Sequence, residues 1–590
     1  MNQVKKRKHQ NLIQGSLILG VATALVKVIG AIYRIPLNGI LGGDGGGAFS
    51  LAYDIYLPIY TIAMAGLPVA ISRMVAESVS EGRFKDARAL LKLARRVFLI
   101  TGLLCLALLL VAVPIYVNGI NRPDALWSML AITPSILFCC MMSTYRGYYE
   151  GLRDMYPTGI SQVIEACGKL FAGLGFAYAV KEFLYAEFER SGTVMGKVIE
   201  LDGTTATLEQ VALKAISPYS AAGAILGITI GSVFGAIYLM LRYRIVGDRF
   251  TNEELAASPE PRRDREHFKM LIAIAVPIVL GSLTTQVASL VDLTLVNIQL
   301  DAAVKTNAEA LRACYGSILD GQTDQSLPNF LYGCYRSYAY SLYNLAPTIT
   351  SVIGVTAIPV LATAWKAKDN SAIKINIESS IRISSLIALP AGAGLFALSY
   401  PILNLIYPLN PVETAVSTPI LRVLGLTTIF AAMTIPATSM LQAIGKQRIP
   451  VYNMIIGVIL KIGINYFLVS IPSINVIGAP IGTAICYAYI FVANFVALRK
   501  YSAVKINVIG TMIKPLICAA ICGGAAYGTH LLLSSLRGEG SITTVVSVAV
   551  AALAYVISMG FTRTLTKNDV NMLPKGQKIA KVLEKIHWID

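Results

Sequence analysis

The stretch Ala24–Arg34, ALVKVIGAIYR, sets Lys27 and Arg34 inside a run otherwise apolar enough to cross a bilayer. Seven residues make nearly two helical turns, so the two cations lie about 10 Å apart along one face of a helix. A charge near the bilayer midplane costs about 2.5–3.5 kcal/mol on insertion scales. Such side chains therefore face protein or a water-filled cavity, or else snorkel to the interface.

The composition makes that helix one of many. The chain has 590 residues, 55% hydrophobic and 14% charged, with a mean hydropathy of +0.63; this is too apolar for the polar surface of a soluble protein. Apolar windows of about 18 residues or more recur along nearly the whole length, which predicts an all-α polytopic membrane protein of about fourteen spans. The net charge of +17 does not point to nucleic acid, because of where it falls. About 35 of the 50 Lys and Arg residues lie in alternate loops and the two tails and about 8 in the other loops, which puts both termini in the cytoplasm. The apolar run after Lys5–Lys8 is longer than a signal-peptide core and has no convincing cleavage site. The nine cysteines show no CxxC or zinc-type spacing; Cys314 and Cys334 bracket a polar loop and would be able to pair if that loop is external.

Hydropathy and charge divide the chain into an N-terminal lobe, 1–243, with spans one to six; a cytoplasmic linker, 244–269, containing SPEPRRDRE; a C-terminal lobe, 270–499, with spans seven to twelve; spans thirteen and fourteen within 500–562; and a basic cytoplasmic tail, 563–590. Span one ends in GGDGGG, which reads as a hairpin, since no GK[ST] ending follows it and no strand precedes it. The stretches 181–217 and 299–329 read as polar external insertions, and the linker as a solvated connector.

An internal repeat relates the lobes. GLPVAISRMVAESVSEG at 66–82 has a counterpart in TAIPVLATAWKAKDN at 356–370, and YEGLRDMYPTGISQVIEACGKL at 149–170 in LQAIGKQRIPVYNMIIGVILKI at 441–462. The second pair shares a basic turn with glycine, a proline, and then a lysine, Lys169 or Lys461, in the next helix. Each unit has an even number of spans, so the repeats are parallel, a transporter architecture with the substrate site expected between the halves.

Cations outnumber acids among the intramembrane ionisable residues: Lys27, Arg34, Lys169, Arg336 and Lys461 stand against Asp54, Glu165 and Asp292. A chamber lined by several of these cations suits an anionic headgroup such as a pyrophosphate. Glu165 and Lys169 have i, i+4 spacing with the acid first, which favours an ion pair. Aligning Gly20 with Gly281 sets Ala31, between Lys27 and Arg34, opposite Asp292; that acid is a candidate coupling element or a plain salt-bridge partner. Asp54, among Tyr53, Tyr56 and Tyr60, is a coupling candidate nearer external water. Arg73 and Glu77, again i and i+4, read as a cytoplasmic latch or a solvated pair. The tyrosines around Arg336 offer stacking surface for a sugar, or an interfacial belt.

With GLPVAISRMVAE, YRGYYEGLRDMYPTGISQVIE, the stretch from YNLAP to AIPVLATA, LQAIGKQRIPVYN and INVIGAPIGTA, the chain resembles the multidrug/oligosaccharidyl-lipid/polysaccharide exporter superfamily, and within it the polysaccharide-flippase branch. The resemblance covers nearly the whole chain. It implies a fourteen-helix, two-lobed, alternating-access transporter in the bacterial plasma membrane. Such a protein moves an undecaprenyl-pyrophosphate-linked saccharide, lipid II foremost, from the inner to the outer leaflet for cell-wall synthesis in growth or sporulation. It further implies that Lys27 and Arg34 line a cationic cavity with Arg73 on its cytoplasmic side, and that spans thirteen and fourteen form a lipid-tail groove. The external insertions and the acid on span seven depart from the family pattern.

The other readings are a cation-coupled drug or metabolite antiporter of the same superfamily, which expects a cavity rich in acids, and a membrane polysaccharide enzyme. No DxD motif or histidine constellation supports the enzyme, and no catalytic or metal-ligating residue is assigned. No cofactor is expected beyond coupling to H+, Na+ or the membrane potential; the expected partners are the lipid-linked substrate and the bilayer, with the protein a monomer.

Overall fold

A hairpin at the glycine-rich run opens the fold. The computed structural model describes residues 12–567 and Asp569, apart from 65, 121, 201–206, 320–321 and 503. Helix α1 (Leu12–Met64) breaks at Gly42, whose φ is 63°. A straight helix would hold positions 34 and 50 about 24 Å apart. Instead Arg34 Nη2 donates to Ser50 Oγ at 3.1 Å, and the Tyr33 and Phe49 rings lie 6.5 Å apart, so 12–41 and 43–64 fold back as two arms. Glycine is favoured at position 42 by the left-handed φ. At position 45 a Cβ would stand 2.9 Å from the Ser217 carbonyl, while Ser217 Oγ donates to the Leu41 carbonyl. The run is the hairpin that the sequence predicts, but a packed turn where the glycine density suggests a flexible one.

The chain divides into two compact units, Met1–Thr294 and Leu295–Asp590. Unit 1 continues with α2 (Leu67–Ser80), α3 (Phe84–Gly119), α4 (Leu126–Ile132), α5 (Ser135–Gly151), α6 (Tyr156–Ser191), a two-stranded hairpin of β1 (Thr193–Val194) and β2 (Lys197–Val198), α7 (Leu208–Val246) and α8 (Asn252–Ala257). Helix α9 (Asp264–Ala313) runs through the boundary. Unit 2 holds α10 (Leu327–Gly333), a π-helical turn at Cys334–Ala339, α11 (Tyr340–Tyr343), α12 (Leu345–Lys366), α13 (Asn370–Ala397), α14 (Ser399–Ile406), α15 (Pro411–Ala443), α16 (Arg448–Val469), α17 (Gly478–Tyr501), α18 (Lys514–Arg537) and α19 (Ser541–Thr562). Among the described residues, 11 helices are long and apolar enough to cross a membrane. With the arms of α1 counted separately, and α9 and the α10–α12 run included, the passes number about fourteen, as hydropathy predicts.

Small residues bring α6 and α7 together. A Cβ on Gly227 would collide with the Gly173 backbone, one on Gly223 would stand 2.8 Å from the Phe176 carbonyl, and one on Gly231 2.5 Å from the Glu165 carbonyl. Such close approach is how helices associate where lipid tails are as apolar as the helix surface. At the start of α7, Thr207 and Gln210 form a reciprocal capping box. In unit 2 the core is a continuous apolar cluster that includes Leu361, Ile377, Ala432, Leu441 and Leu498.

The two insertions and the linker differ from their sequence reading. Residues 181–191 extend α6, which ends on the left-handed Gly192 (φ 66°) before the β-hairpin, and residues 299–306 extend α9, which breaks at Asn307 (φ −164°, ψ 88°) before a short helical stretch to Ala313. Both stretches are polar because their helices run on past the apolar span. The linker is folded onto the start of α3. Arg88 donates to Asp248 twice, at 2.7 and 2.9 Å, and Tyr148 Oη donates to the same carboxylate at 3.3 Å. Asp86, 1% exposed, accepts from the Arg83 side chain and from the Arg262 backbone N–H at 2.6 Å, and lies 3.3 Å from buried His267. Burial works against charge on the Asp248 carboxylate, but Arg88, the Phe250 N–H and Tyr148 outweigh it and hold its pKa below 3.8. Burial pushes His267 below 6.5 in spite of the Asp86 carboxylate. The disulfide is not formed either: Cys314 and Cys334 are not joined, the first being exposed and the second buried.

Candidate anion-binding site in the membrane helices

The α1 hairpin builds the site in unit 1. By folding back, it sets Tyr33 and Arg34 of the first arm against Phe49, Ser50 and Tyr53 of the second. Arg34 is half-buried, with Cζ 4.9 Å from the Phe49 ring centroid. Tyr33 is buried and ties the hairpin to α7 by donating to the Ala224 carbonyl at 3.2 Å. From α6, Lys169 points at the same place, with Nζ 5.2 Å from the Tyr33 ring and 5.1 Å from the Tyr53 ring. Both distances are within cation–π range. Lys27 and Arg34 lie close enough to act on the Lys169 charge, and Lys27 itself is exposed. Arg34 and Lys169, from two elements, therefore converge beside a wall of aromatic rings, with exposed Lys27 within electrostatic reach, a setting that favours an anionic group bearing several oxygens.

The acids are placed less simply. Glu165 does not pair with Lys169. It accepts from Arg146 Nη2 at 2.9 Å, and Arg146 Nε donates to Ser161 Oγ at 2.9 Å. Lys169 is one helical turn away and has turned to the tyrosines. Asp54 is half-buried and close enough to Tyr53 and Tyr116 to act on them; Tyr116 Oη and Thr294 Oγ1 share a 2.8 Å hydrogen bond. The side chain of Asp292 lies outside the described residues. Arg73 is exposed and pairs with Glu77 at 2.8 Å, which matches the solvated-pair reading.

Unit 2 carries a related arrangement. Arg336 lies on the π-helical turn, with Cζ 4.2 Å from the Tyr340 ring. Tyr335 and Tyr343 flank that ring at 5.9 and 5.0 Å. Lys461, the repeat partner of Lys169, acts on Tyr487, which in turn lies near Tyr335 and Tyr340. Lys169 therefore meets tyrosines of its own unit, and Lys461 lies within electrostatic reach of one, Tyr487. A π-helical turn shifts the register of one helix face and is common at functional sites.

Sequence reasoning missed Arg146. It sits in YRGYYEG, which reads as a turn between spans, whereas α5 runs on to Gly151 and buries it at 8% exposure. The available signal was the i, i+4 spacing of Arg146 and Glu150, which continues the helical period through the supposed turn.

Comparison with known proteins agrees with this architecture. A family model described as "Polysaccharide biosynthesis protein" matches residues 12–201, and one described as "Lipid II flippase MurJ" matches residues 332–546. The chain is similar to the lipid II flippase MurJ of Bacillus subtilis (strain 168), 22% identical over 92% of this chain and 94% of that one. It is also similar to stage V sporulation protein B of the same organism, 20% identical over 96% and 98%. Its fold matches a solved structure, "Lipid II flippase MurJ, inward closed conformation", with a TM-score of 0.62 over 92% of this chain and 98% of that one at 13% identity. The chain is thus a multi-pass plasma-membrane protein that is similar over nearly its whole length to the polysaccharide-flippase branch of the multidrug/oligosaccharidyl-lipid/polysaccharide exporter superfamily.

Proposed function

We propose that the chain is an alternating-access flippase that carries an undecaprenyl-pyrophosphate-linked saccharide, lipid II, from the inner to the outer leaflet for peptidoglycan synthesis. The observation that carries this reading is the convergence of Arg34 and Lys169 on Tyr33, Phe49 and Tyr53, with Lys27 within electrostatic reach of Lys169. A diphosphate offers several charged oxygens to these cations, each a charge-assisted contact. Arg336, beside Tyr340, and Lys461 are the anion-binding candidates of unit 2. The similarity to MurJ supports the same substrate class.

In this reading the positive-inside asymmetry places both termini in the cytoplasm, and the protein works as a monomer. Asp54, Glu165 and Asp292 are the acids through which H+ or Na+ would couple to the cycle, with the membrane potential as the other drive. Transport rather than catalysis is the activity. Depleting the protein in the cell tests the assignment: lipid II is expected to accumulate on the cytoplasmic leaflet. Accumulation of a different lipid-linked saccharide, or of none, overturns it.

A further inference from the structure

Unit 1 contains a cavity of about 390 Å3 away from the Arg34–Lys169 cluster, between the second arm of α1, α2, α5 and α6. Tyr60, Thr61, Arg146, Glu150, Thr158 and Gln162 line it. Thr158, 2% exposed, sets its hydroxyl beside the Glu150 carboxylate, and Gln162 turns a buried oxygen, Oε1, into the cavity that has no hydrogen-bond partner. A buried acceptor without a partner costs about 1–3 kcal/mol, so this amide oxygen calls for a donor.

The lining selects the kind of donor. The Arg146 guanidinium is already held by Glu165 and Ser161, and Glu150 adds a carboxylate, so the wall is neutral to negative and repels a phosphate. A bare cation is also a poor fit. The volume is that of roughly a dozen waters at about 30 Å3 each, and Arg146 opposes a positive charge. A neutral polyol suits this lining: its hydroxyls donate to Gln162 Oε1 and to the Glu150 carboxylate, and its C–H face lies on the Tyr60 ring. The volume falls at the small end of the roughly 300–1,000 Å3 range of ligand pockets.

We propose that this cavity is a saccharide subsite that receives the sugar ring attached to the diphosphate. Gln162, Glu165 and Lys169 follow one another at i, i+3 and i+7 on α6, hence on one face. Gln162 and Lys169 are two turns, about 10 Å, apart. A diphosphate held by Lys169 places its first sugar toward Gln162, with the Arg146–Glu165 pair between them. This assignment rests on the flippase reading for why a glycosyl diphosphate is present, but the cavity chemistry is tested without it.

The test is saturation-transfer NMR on the full-length protein in detergent, with free N-acetylglucosamine as the probe, which carries neither phosphate nor lipid. The wild type is expected to transfer saturation to the sugar ring protons. Gln162→Leu, Tyr60→Ala and the near-isosteric Glu150→Gln are each expected to weaken binding about tenfold, while Glu150→Gln melts as the wild type does. No transfer in the wild type, equal transfer in all three variants, or displacement of the sugar by NaCl but not by choline chloride overturns the subsite. Sugar binding lost in the variants, together with flipping that ignores Lys27 and Arg34, keeps the subsite and rejects the headgroup site.

Discussion

Arg146 Nη2 donates to Glu165 at 2.9 Å, joining α5 to α6 and taking from Lys169 the acid that lies one turn before it. The consequence is a division of labour along α6. Glu165 neutralises a buried guanidinium, and Lys169 is left to the tyrosines of the α1 hairpin.

Breaking that pair leaves a charge inside the helix bundle. Arg146→Met is expected to destabilise unit 1 by about 3 kcal/mol, and Glu165→Leu in the same background to recover most of the loss, because an apolar pair of similar volume replaces a buried ion pair well. A double-mutant cycle of thermal unfolding in detergent measures this. Additive losses would show that the two side chains do not depend on each other.

The α6–α7 contact predicts a sharp contrast between two glycines. At Gly227 an added Cβ meets the Gly173 backbone, which has no flexible side chain to move aside, whereas at Gly175 it meets nothing within 4 Å. Gly227→Ala is expected to cost about 1–3 kcal/mol or to prevent folding, and Gly175→Ala to be tolerated. Yield and melting temperature of the purified variants check it.

How far the sequence carries is plain from these particular residues. The spans, the hairpin at GGDGGG and the lysine repeat were legible because each rests on local pattern: apolar run length, glycine density, proline-to-lysine spacing. The Glu165 partner was not legible. Spacing along one helix nominates Lys169, but choosing between it and Arg146 depends on where α5 ends and how it packs on α6, which is tertiary information. The linker misled for the same reason. SPEPRRDRE has the composition of a solvated connector, yet its neighbours Asp248 and His267 meet Arg88 and Asp86 of α3.

Docking of the linker is expected to weaken as pH falls. His267, facing Asp86, Arg262 and Asp264, takes up a proton less readily when docked than its ordinary value of 6.5 implies. Its contribution is therefore complete above about pH 6.5 and is lost as pH drops below that toward the docked pKa. Asp248, held below 3.8, acts in the same sense at lower pH, its contribution being lost as pH falls through its docked pKa. Hydrogen exchange over 247–267, corrected for intrinsic rates, should be faster at pH 5.5 than at pH 7.5, conditions chosen about one unit either side of the ordinary histidine value. Asp248→Asn should raise exchange about tenfold at neutral pH. Equal protection at both pH values would remove His267 from the account.

Tyr33 separates ring from hydroxyl. Tyr33→Phe keeps the face toward Lys169 and loses the bond to the Ala224 carbonyl, so it should cost about 1 kcal/mol of stability with transport largely retained. Tyr33→Ala should lower transport as well, because the wall beside Lys169 goes. Flipping rates and melting temperatures of the two variants distinguish the roles.

The central claim is that the unit 1 cations hold the diphosphate of the lipid. The most direct test is lipid II movement in proteoliposomes by wild type and by the double variant Lys27→Ala, Arg34→Ala, with folding matched by melting temperature. Loss of two charge-assisted contacts predicts a fall in flipping rate of about 100-fold; an unchanged rate contradicts the account.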